Sequence, residues 1–266
     1  MKKFWHAGPP EMHTNCMFSL AAQSELPVVL LIDDDLVSRE VTATLLTMSG
    51  YTVHTAVGGA ASLRMLASAR CRPDVILVDA QMPGLSGREL IAKLHSRSAA
   101  RIFIVSGSQP PQDLIEASDG FLAKPFSPDT LHKLLDGHKV HSDPTLLDPN
   151  DPVVSTEVLA QFRKLMPEPA VRQIYTAVIA DLSKRIEALA SAIAKGDAGE
   201  VRRIGHAIKG GCGMAGAIQA AHLGALLEAA PVAQEDNHLD NSATLLRDLR
   251  TAAQGLERML DSELPA

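Results

Sequence analysis

Two different hydrophobic periodicities divide this chain of 266 residues and limit the folds that are open to it. From residue 26 to residue 138, short apolar runs alternate with amphipathic stretches. Apolar runs at 28–32, 52–56, 75–78, 102–105 and 120–123 predict strands, and helical patterns lie between them, most clearly at 37–49, 59–69 and 86–96. Strands that alternate with helices indicate an α/β domain over 26–138, with a doubly wound parallel sheet covered by helices on both faces.

The second half of the chain has no strand pattern. Apolar residues at three- and four-residue spacing predict helices at 155–165, 168–195, 198–215, 217–229 and 240–262. Amphipathic helices joined by short connections indicate an all-α domain, an antiparallel four-helix bundle over 153–266. Between the two domains, 143–152 contains three prolines and three aspartates, so 139–152 is predicted to be a linker. Residues 1–25 show no periodicity and are predicted to form a flexible tail.

Composition narrows the classes of function. Hydrophobic residues make up 46% of the chain and charged residues 21%, as in ordinary globular proteins. The net charge is −6 and no basic stripe occurs, which argues against direct binding of nucleic acid. The three cysteines have unrelated spacings, which fits a reducing cytoplasm better than a disulfide framework. No stretch approaches the length of a transmembrane helix, so we expect a soluble cytoplasmic protein without membrane insertion.

Charged and polar residues follow the predicted strands at the points where the strands end. Asp33 and Asp34 follow the first strand, Asp79 the third, Ser106 the fourth and Lys124 the fifth. Because parallel strands end at the same edge of a sheet, these side chains are expected to meet there, where such sheets bind ligands. Each signal alone is weak, since an aspartate after a strand is usually a helix cap. Three carboxylates at one edge repel each other unless a cation neutralises them, and oxygen ligands favour Mg²⁺ or Mn²⁺.

This combination predicts phosphoryl chemistry. A carboxylate is a nucleophile toward phosphorus once the phosphoryl oxygens are neutralised. The metal would cover one oxygen, Lys124 a second, and the Ser106 hydroxyl could donate to a third. Catalysis would then come from positioning and charge stabilisation.

The first domain resembles the response-regulator receiver family, which has a flavodoxin-like (βα)5 fold. Four segments carry the resemblance: Leu31–Asp35, Val75–Gly84, Ile104–Gly107 and Gly120–Phe126. It implies that Asp79 is the phosphoacceptor, that Asp33, Asp34, Asp79 and the backbone carbonyl of Gln81 hold the metal, and that Ser106 and Phe121 are the switch residues. Pro110 and Pro111 stand where the fourth helix of the family begins, and they predict a single helical turn there.

In the second domain, His206 lies in a helix whose apolar stripe is formed by Val201, Ile204, Ile208, Cys212 and Ala215. His206 is two residues from both Ile204 and Ile208, about 200° around the helix, and is therefore predicted to face solvent. Arg202 and Lys209 share its face. A neutral imidazole is a competent nucleophile near neutral pH, and the two cations would attract a phosphoryl group. An ordinary surface histidine is the alternative.

Four glycines in the same helix favour the functional interpretation. Gly205, Gly210, Gly211 and Gly213 each cost a helix about 1 kcal/mol relative to alanine. Gly210 and Gly213 lie beside His206 and are predicted to make room for the surface of a partner. Gly211 lies nearer the buried side and is predicted to serve close helix packing.

The segments His206–Gly211, Met214–Ala217 and Leu226–Glu228 resemble the histidine-containing phosphotransfer (HPt) family. The resemblance implies that His206 is phosphorylated and that Lys209 assists. No kinase ATP-binding motif occurs, so the expected protein is not a kinase. It is a phosphorelay intermediate that exchanges phosphoryl groups with a sensor histidine kinase and other receivers. The receiver would catalyse its own Mg²⁺-dependent phosphorylation, and contact between the two domains of one chain is a further option.

Two other functions remain open at this point. The bundle could be a binding module that the receiver controls, with His206 never phosphorylated. Alternatively, the chain could be a phosphate sink that drains a kinase through rapid hydrolysis at Asp79. Acid-labile phosphate on His206 would distinguish the first alternative, and the lifetime of phosphorylated Asp79 the second.

Overall fold

A computed structural model describes residues 26–68, 71–138, 152–229 and 237–265. The predicted tail, 1–25, and nearly all of the predicted linker lie outside these described residues.

The first domain is built from five βα units. Its elements are β1 Val28–Ile32, α1 Leu36–Met48, β2 Thr52–Ala56, α2 Gly59–Ala67, β3 Val75–Asp79, α3 Gly87–His95, β4 Arg101–Ser106, α4 Gln112–Glu116, β5 Gly120–Ala123 and α5 Pro128–Leu135. All strand pairs are parallel and the order is β2-β1-β3-β4-β5. The predicted doubly wound α/β fold is confirmed. Every residue of the central strand β3 is buried, as expected when helices cover both faces of a sheet.

The strand order reverses between β1 and β3, which creates a crevice at the carboxyl edge of the sheet. Asp33 to Asp35 follow β1 at this crevice, and Asp79 ends β3. The fourth helix spans only Gln112–Glu116 and begins directly after Pro111, which confirms the predicted single turn.

The second domain is helical throughout its described residues. Its elements are α6 Thr156–Leu165, α7 Glu168–Ala194, α8 Ala198–Met214, α9 Ile218–Ala229 and α10 Asn237–Glu263. The last four helices each contact two others of the set, in the cyclic order α7-α8-α9-α10, and form the predicted four-helix bundle. The predicted stripe of α8 is buried at all five positions. The buried Tyr175 of α7 donates a hydrogen bond of 3.0 Å to the carbonyl of Ala215, which ties α7 to the end of α8.

The two domains pack against each other through α1, which contacts α6, α7 and α8. One hydrophobic cluster extends from the sheet through Val37 and Val41 of α1 to Ile208 and Cys212 of α8. Gly211 faces α1: a Cβ atom there would lie 3.3 Å from Oδ1 of Asp35, a tight contact, and 3.5 Å from the Cβ of Val37, an ordinary one, so its predicted role in close helix packing stays a prediction. No helix in the four described segments is both long and apolar enough to cross a membrane.

Candidate functional site

A buried ion cluster lies at the carboxyl edge of the sheet. The Nζ atom of Lys124 donates to Oδ2 of Asp33 at 2.8 Å and to Oδ1 of Asp79 at 2.7 Å. All three side chains are almost fully enclosed, with 1% to 7% of each exposed. Burial opposes the charge of Lys124, but attraction to Asp79 and Asp33 outweighs burial and raises the lysine pKa above its ordinary value. Lys124 is therefore a fixed cation beside Asp79.

The aspartates after β1 have different structural roles, which the sequence pattern did not reveal. Asp35 is the N-cap of α1 and accepts from the backbone N–H of Ser38 at 2.8 Å. The Ser38 hydroxyl donates to Asp33 at 2.7 Å, and the backbone N–H of Asp35 donates to Asp33 at 2.9 Å. Asp33 is thus held rigidly by α1 as well as by Lys124. Ser38 was not among the predicted site residues, although its position three residues after the cap would have been consistent with such a contact.

Asp34 is the exposed member of the cluster. Partial burial and repulsion from Asp33 and Asp79 raise the pKa of its carboxyl group. Three carboxylates and one lysine leave an excess of negative charge at this edge, which is the condition that a divalent cation with oxygen ligands would relieve. The donor set therefore fits Mg²⁺ or Mn²⁺ in charge and ligand type. Within the described residues, however, no three Asp, Glu, His or Cys side chains converge as a metal site, and Lys124 bridges Asp33 and Asp79 instead.

The remaining predicted receiver residues surround the cluster. The backbone N–H of Gln81 donates to Oδ2 of Asp79 at 3.0 Å. Ser106 is buried at the end of β4, and its hydroxyl accepts from the backbone N–H of Ser108 at 3.2 Å. Phe121 of β5 is partly buried and packs against the core on the far side of the sheet from α1. Their roles as a metal ligand and as switch residues stay predictions.

In the bundle, His206 is paired with a residue that the sequence analysis did not assign. Nδ1 of His206 lies 2.9 Å from Oε1 of Glu228, and Nζ of Lys209 donates to the other oxygen of Glu228 at 3.0 Å. Although burial opposes its ionisation, hydrogen bonds from His206 and Lys209 lower the pKa of Glu228 to about 2. Glu228 is therefore a carboxylate that can only accept, so Nδ1 carries the hydrogen. In the neutral ring, Nε2 is left with its lone pair available.

Two glycines determine how close Glu228 comes to α8. A Cβ atom on Gly205 would lie 2.7 Å from the backbone nitrogen of Glu228, and a Cβ atom on Gly224 would lie 2.6 Å from the backbone nitrogen of Lys209. Only glycine permits this approach of α8 and α9. The motif Leu226–Glu228 was visible in the sequence, but 22 residues separate His206 from Glu228, and no local spacing links them.

The structure corrects one expectation about the face of α8 that carries His206. The histidine was predicted to face solvent, yet only 20% of its side chain is exposed, and Glu228 contacts it from α9. Gly213 was predicted to admit a partner; an added Cβ there would lie 4.0 Å from the Cβ of Ala221, and the role of Gly213 stays a prediction. Gly210 lines the cavity at His206, and an added Cβ there would meet nothing within 4 Å.

One cavity of about 1010 Å³ lies between the two domains and brings the two predicted phosphoacceptors together. The receiver lines it with residues that include Asp33, Asp34, Asp79 and Lys124, and the bundle with residues that include Arg202, Arg203, His206, Gly210 and Glu228. Lys209 reaches across to the loop after β4, where a Cβ on Gly107 would lie 3.2 Å from its Cε atom. The site therefore places a carboxylate of the receiver and an imidazole of the bundle in the lining of one cavity.

The sequence matches two family models in succession: the response regulator receiver domain over residues 29–136 and the Hpt domain over residues 173–261. The chain therefore carries a receiver domain followed by an Hpt domain, as the resemblances predicted. Together the two domains support a phosphorelay role in two-component signalling.

Several known proteins are similar to parts of the chain. The sensor histidine kinase AruS of Pseudomonas aeruginosa is 29% identical over 194 residues, which are 69% of this chain and 19% of AruS. The response regulator MprA of Mycobacterium ulcerans is 32% identical over 151 residues, 55% of this chain and 62% of MprA. The chain thus spans less than two thirds of either protein. The structure of the chemotaxis protein CheY4 of Vibrio cholerae shares 32% identity, covering 42% of this chain and 97% of CheY4 with a TM-score of 0.37.

Proposed function

We propose that this chain is a phosphorelay intermediate that carries phosphoryl groups on Asp79 of the receiver and on His206 of the bundle. The observation that supports this most directly is the shared cavity, in which both side chains lie among fixed charges suited to phosphoryl transfer. A bundle that served only as a binding module would have no need for an ionised Glu228 beside His206.

At Asp79, the residues of the chain supply position and charge. Oδ1 of Asp79 accepts from Lys124 and Oδ2 from the N–H of Gln81, so the carboxylate is held in one orientation. Lys124 would neutralise one oxygen of an incoming phosphoryl group, and the Ser106 hydroxyl is the expected donor to a second. Mg²⁺ or Mn²⁺, when bound, would neutralise a further oxygen, with Asp33, Asp34, Asp79 and the carbonyl of Gln81 as its proposed ligands.

At His206, the nucleophile is Nε2. Glu228 holds the ring by its Nδ1–H and stabilises the positive charge that develops on the imidazole as Nε2 bonds to phosphorus. Lys209 is held by the same carboxylate, so its ammonium group stays close to the reacting face. Arg202 lies at the exposed rim of the cavity, where it would attract the phosphoryl group or an acidic partner surface.

The partners proposed for these groups are a sensor histidine kinase and receiver domains of other proteins, in the cytoplasm. The net charge of −6 argues against direct binding of nucleic acid. Competition between candidate kinases and receivers for phosphoryl transfer with this chain would identify the partners.

The test is to incubate the full chain with a small, radiolabelled acyl phosphate and Mg²⁺, and to separate alkali-stable from alkali-labile label. Asp79→Asn should remove all label, and His206→Gln should remove only the alkali-stable, acid-labile label of phosphohistidine. Asp113→Asn on α4 and His222→Gln on α9 are the matched controls and should label normally. EDTA should abolish labelling, and labelling that persists in EDTA would refute the proposed metal.

The same samples separate the alternatives. Acyl phosphate on Asp79 with no label on His206, even after exposure to phosphorylated kinases and receivers, would favour a receiver-controlled binding module. Rapid release of inorganic phosphate from Asp79 would favour a phosphate sink.

A further inference from the structure

We propose that the bundle docks on the receiver of its own chain and exchanges phosphoryl groups between Asp79 and His206 within one molecule, with the Asp35–Arg185 ion pair fixing the docked state. This inference rests on the proposed function of the two phosphoacceptors. It adds that the phosphoryl group passes between the two domains of one chain, and that one ion pair holds those domains in the arrangement for transfer.

The packing of α1 on the bundle is apolar and close. Val37 and Val41 are 6% and 4% exposed, and they belong to the same buried cluster as Ile208 and Cys212. Val37 lies against α8 at Gly211, where an added Cβ atom would be 3.5 Å from the valine side chain. Apolar side chains buried to this extent between two domains form a close-packed interface, unlike the wet and poorly packed surfaces of incidental contacts. Their burial stabilises the docked arrangement.

An ion pair crosses the edge of this contact. Nη2 of Arg185 on α7 donates to Oδ2 of Asp35, while Nε of the same arginine donates to Asp181. Only 19% of Arg185 and 15% of Asp35 are exposed. Removal of one partner would leave the other charge partly buried without compensation, which is costly. The pair therefore favours the docked arrangement over displaced ones.

Asp35 has a second task that makes the pair sensitive to position. Its Oδ1 caps α1 by accepting from the N–H of Ser38, while Oδ2 accepts from Arg185. The cap contact fixes the Asp35 carboxylate on α1 independently of the bundle. Arg185 therefore holds the bundle at the N-terminal end of that helix. Asp33, two residues earlier, contacts the lysine that holds Asp79. A bundle aligned on Asp35 is therefore also aligned on the phosphoacceptor.

The excess charges on the two sides of the cavity are opposite in sign. The receiver contributes four aspartates and one cation, Lys124, and the bundle contributes three arginines and one anion, Glu228. Opposite charges on facing surfaces steer two surfaces into one register and oppose others.

In the exchange, Nε2 of His206 attacks the phosphorus of the aspartyl phosphate. The N–P bond forms as the bond between phosphorus and the Asp79 oxygen breaks, and Asp79 leaves as a carboxylate. The ring becomes cationic with its hydrogen still on Nδ1, and Glu228 balances that charge. No proton needs to leave, and the reverse reaction follows the same path.

The inference is tested by the dependence of labelling on chain concentration. With the small acyl phosphate in excess, the rate at which His206 gains label per wild-type chain should stay constant over a wide range of dilution. A mixture of full-length Asp79→Asn and His206→Gln chains can label His206 only between molecules. Because tethered groups reach effective concentrations near millimolar, the mixture at micromolar chain should be at least about tenfold slower.

A rate that rises in proportion to concentration, with a mixture as fast as the wild type, would overturn intramolecular exchange while leaving both phosphoacceptors in place. Label on Asp79 with none on His206 in any format would instead remove the proposed role of His206, and intramolecular exchange with it.

The ion pair is tested by a double-mutant cycle on the same assay. Asp35→Asn keeps a good helix cap and removes the charge, and Arg185→Met removes the guanidinium. Each should slow label transfer in the intact chain, and the double variant should be no slower than the slower single variant. Arg247→Asp, an exposed residue of α10 that pairs only with its neighbour Asp248, is the control and should transfer normally. Additive effects of the two substitutions would refute a shared role.

Discussion

Replacement of Glu228 by glutamine tests the central pairing of the bundle. The carboxylate accepts from His206 and Lys209, and these contacts lower its pKa from 4.5 to about 2. Each tenfold change in an acid dissociation constant corresponds to about 1.4 kcal/mol, so the ionised group stabilises the fold by at most about 3 kcal/mol. Glutamine keeps an acceptor for Nδ1 but loses the charge. We therefore expect Glu228→Gln to lower the free energy of unfolding at pH 7 by about 1–3 kcal/mol.

The loss should depend on pH in a defined direction. Because the pKa of Glu228 is lower in the folded state than in the unfolded state, its stabilisation is complete above pH 4.5 and disappears as pH falls toward 2. With these two pKa values, about 1.4 kcal/mol of the stabilisation remains at pH 3. The difference between the wild type and the variant should therefore shrink by more than half between pH 6 and pH 3.

Urea denaturation at a series of pH values, followed by far-UV circular dichroism, measures this difference. Glu257→Gln on the exposed side of α10 makes the same chemical change and should alter stability little at any pH. A difference between wild type and Glu228→Gln that is constant from pH 6 to pH 3, or absent at pH 7, would refute the ionised pair.

Three further outcomes follow from other contacts. Gly205→Ala should destabilise the bundle by about 1–3 kcal/mol, because its Cβ would meet α9 at 2.7 Å. Gly210→Ala should stabilise the bundle by up to about 1 kcal/mol, because nothing lies within 4 Å of an added Cβ. Thermal unfolding of the two variants measures both effects. Asp34→Asn should raise the urea midpoint in EDTA at neutral pH, since a carboxyl whose pKa is raised by folding destabilises the fold when ionised, and the variant should gain less from added Mg²⁺. Tyr175→Phe leaves the buried carbonyl of Ala215 without its donor and should cost about 1–2 kcal/mol in urea denaturation.

The strands and helices could be predicted because their signals are local. Alternation of apolar runs with amphipathic stretches gave the parallel sheet, and the apolar stripe of α8 gave its buried face, since both periodicities follow from backbone geometry alone. The two prolines before α4 shortened that helix for an equally local reason. The clustering of Asp33, Asp79 and Lys124 also followed, because parallel strands share one edge.

The contacts of His206 could not be predicted in this way. Its solvent-facing position on an isolated helix was a sound inference from helical geometry, but Glu228 reaches it from α9, and the receiver contributes part of the lining of the cavity at the histidine. Both depend on how whole elements pack, which a single sequence does not encode at a fixed spacing. The glycines of α8 illustrate the same limit: the sequence marks them as unusual, while the structure places Gly205 against α9 and Gly211 against α1 and leaves open space at Gly210.

The crossing of Gly205 and Gly224 has a consequence for how the bundle can vary. At this point the helices touch backbone to backbone, so no side-chain volume lies between them. Elsewhere in a helical core, a larger residue on one helix can be offset by a smaller one on its neighbour, and the helices drift apart or together as sequences diverge. Here no such exchange of side-chain volume is available, so the contact between the two backbones sets the distance from His206 to Glu228. Related chains with quite different bundle cores should therefore retain the same histidine-to-glutamate geometry wherever both glycines remain, and lose it together with either one.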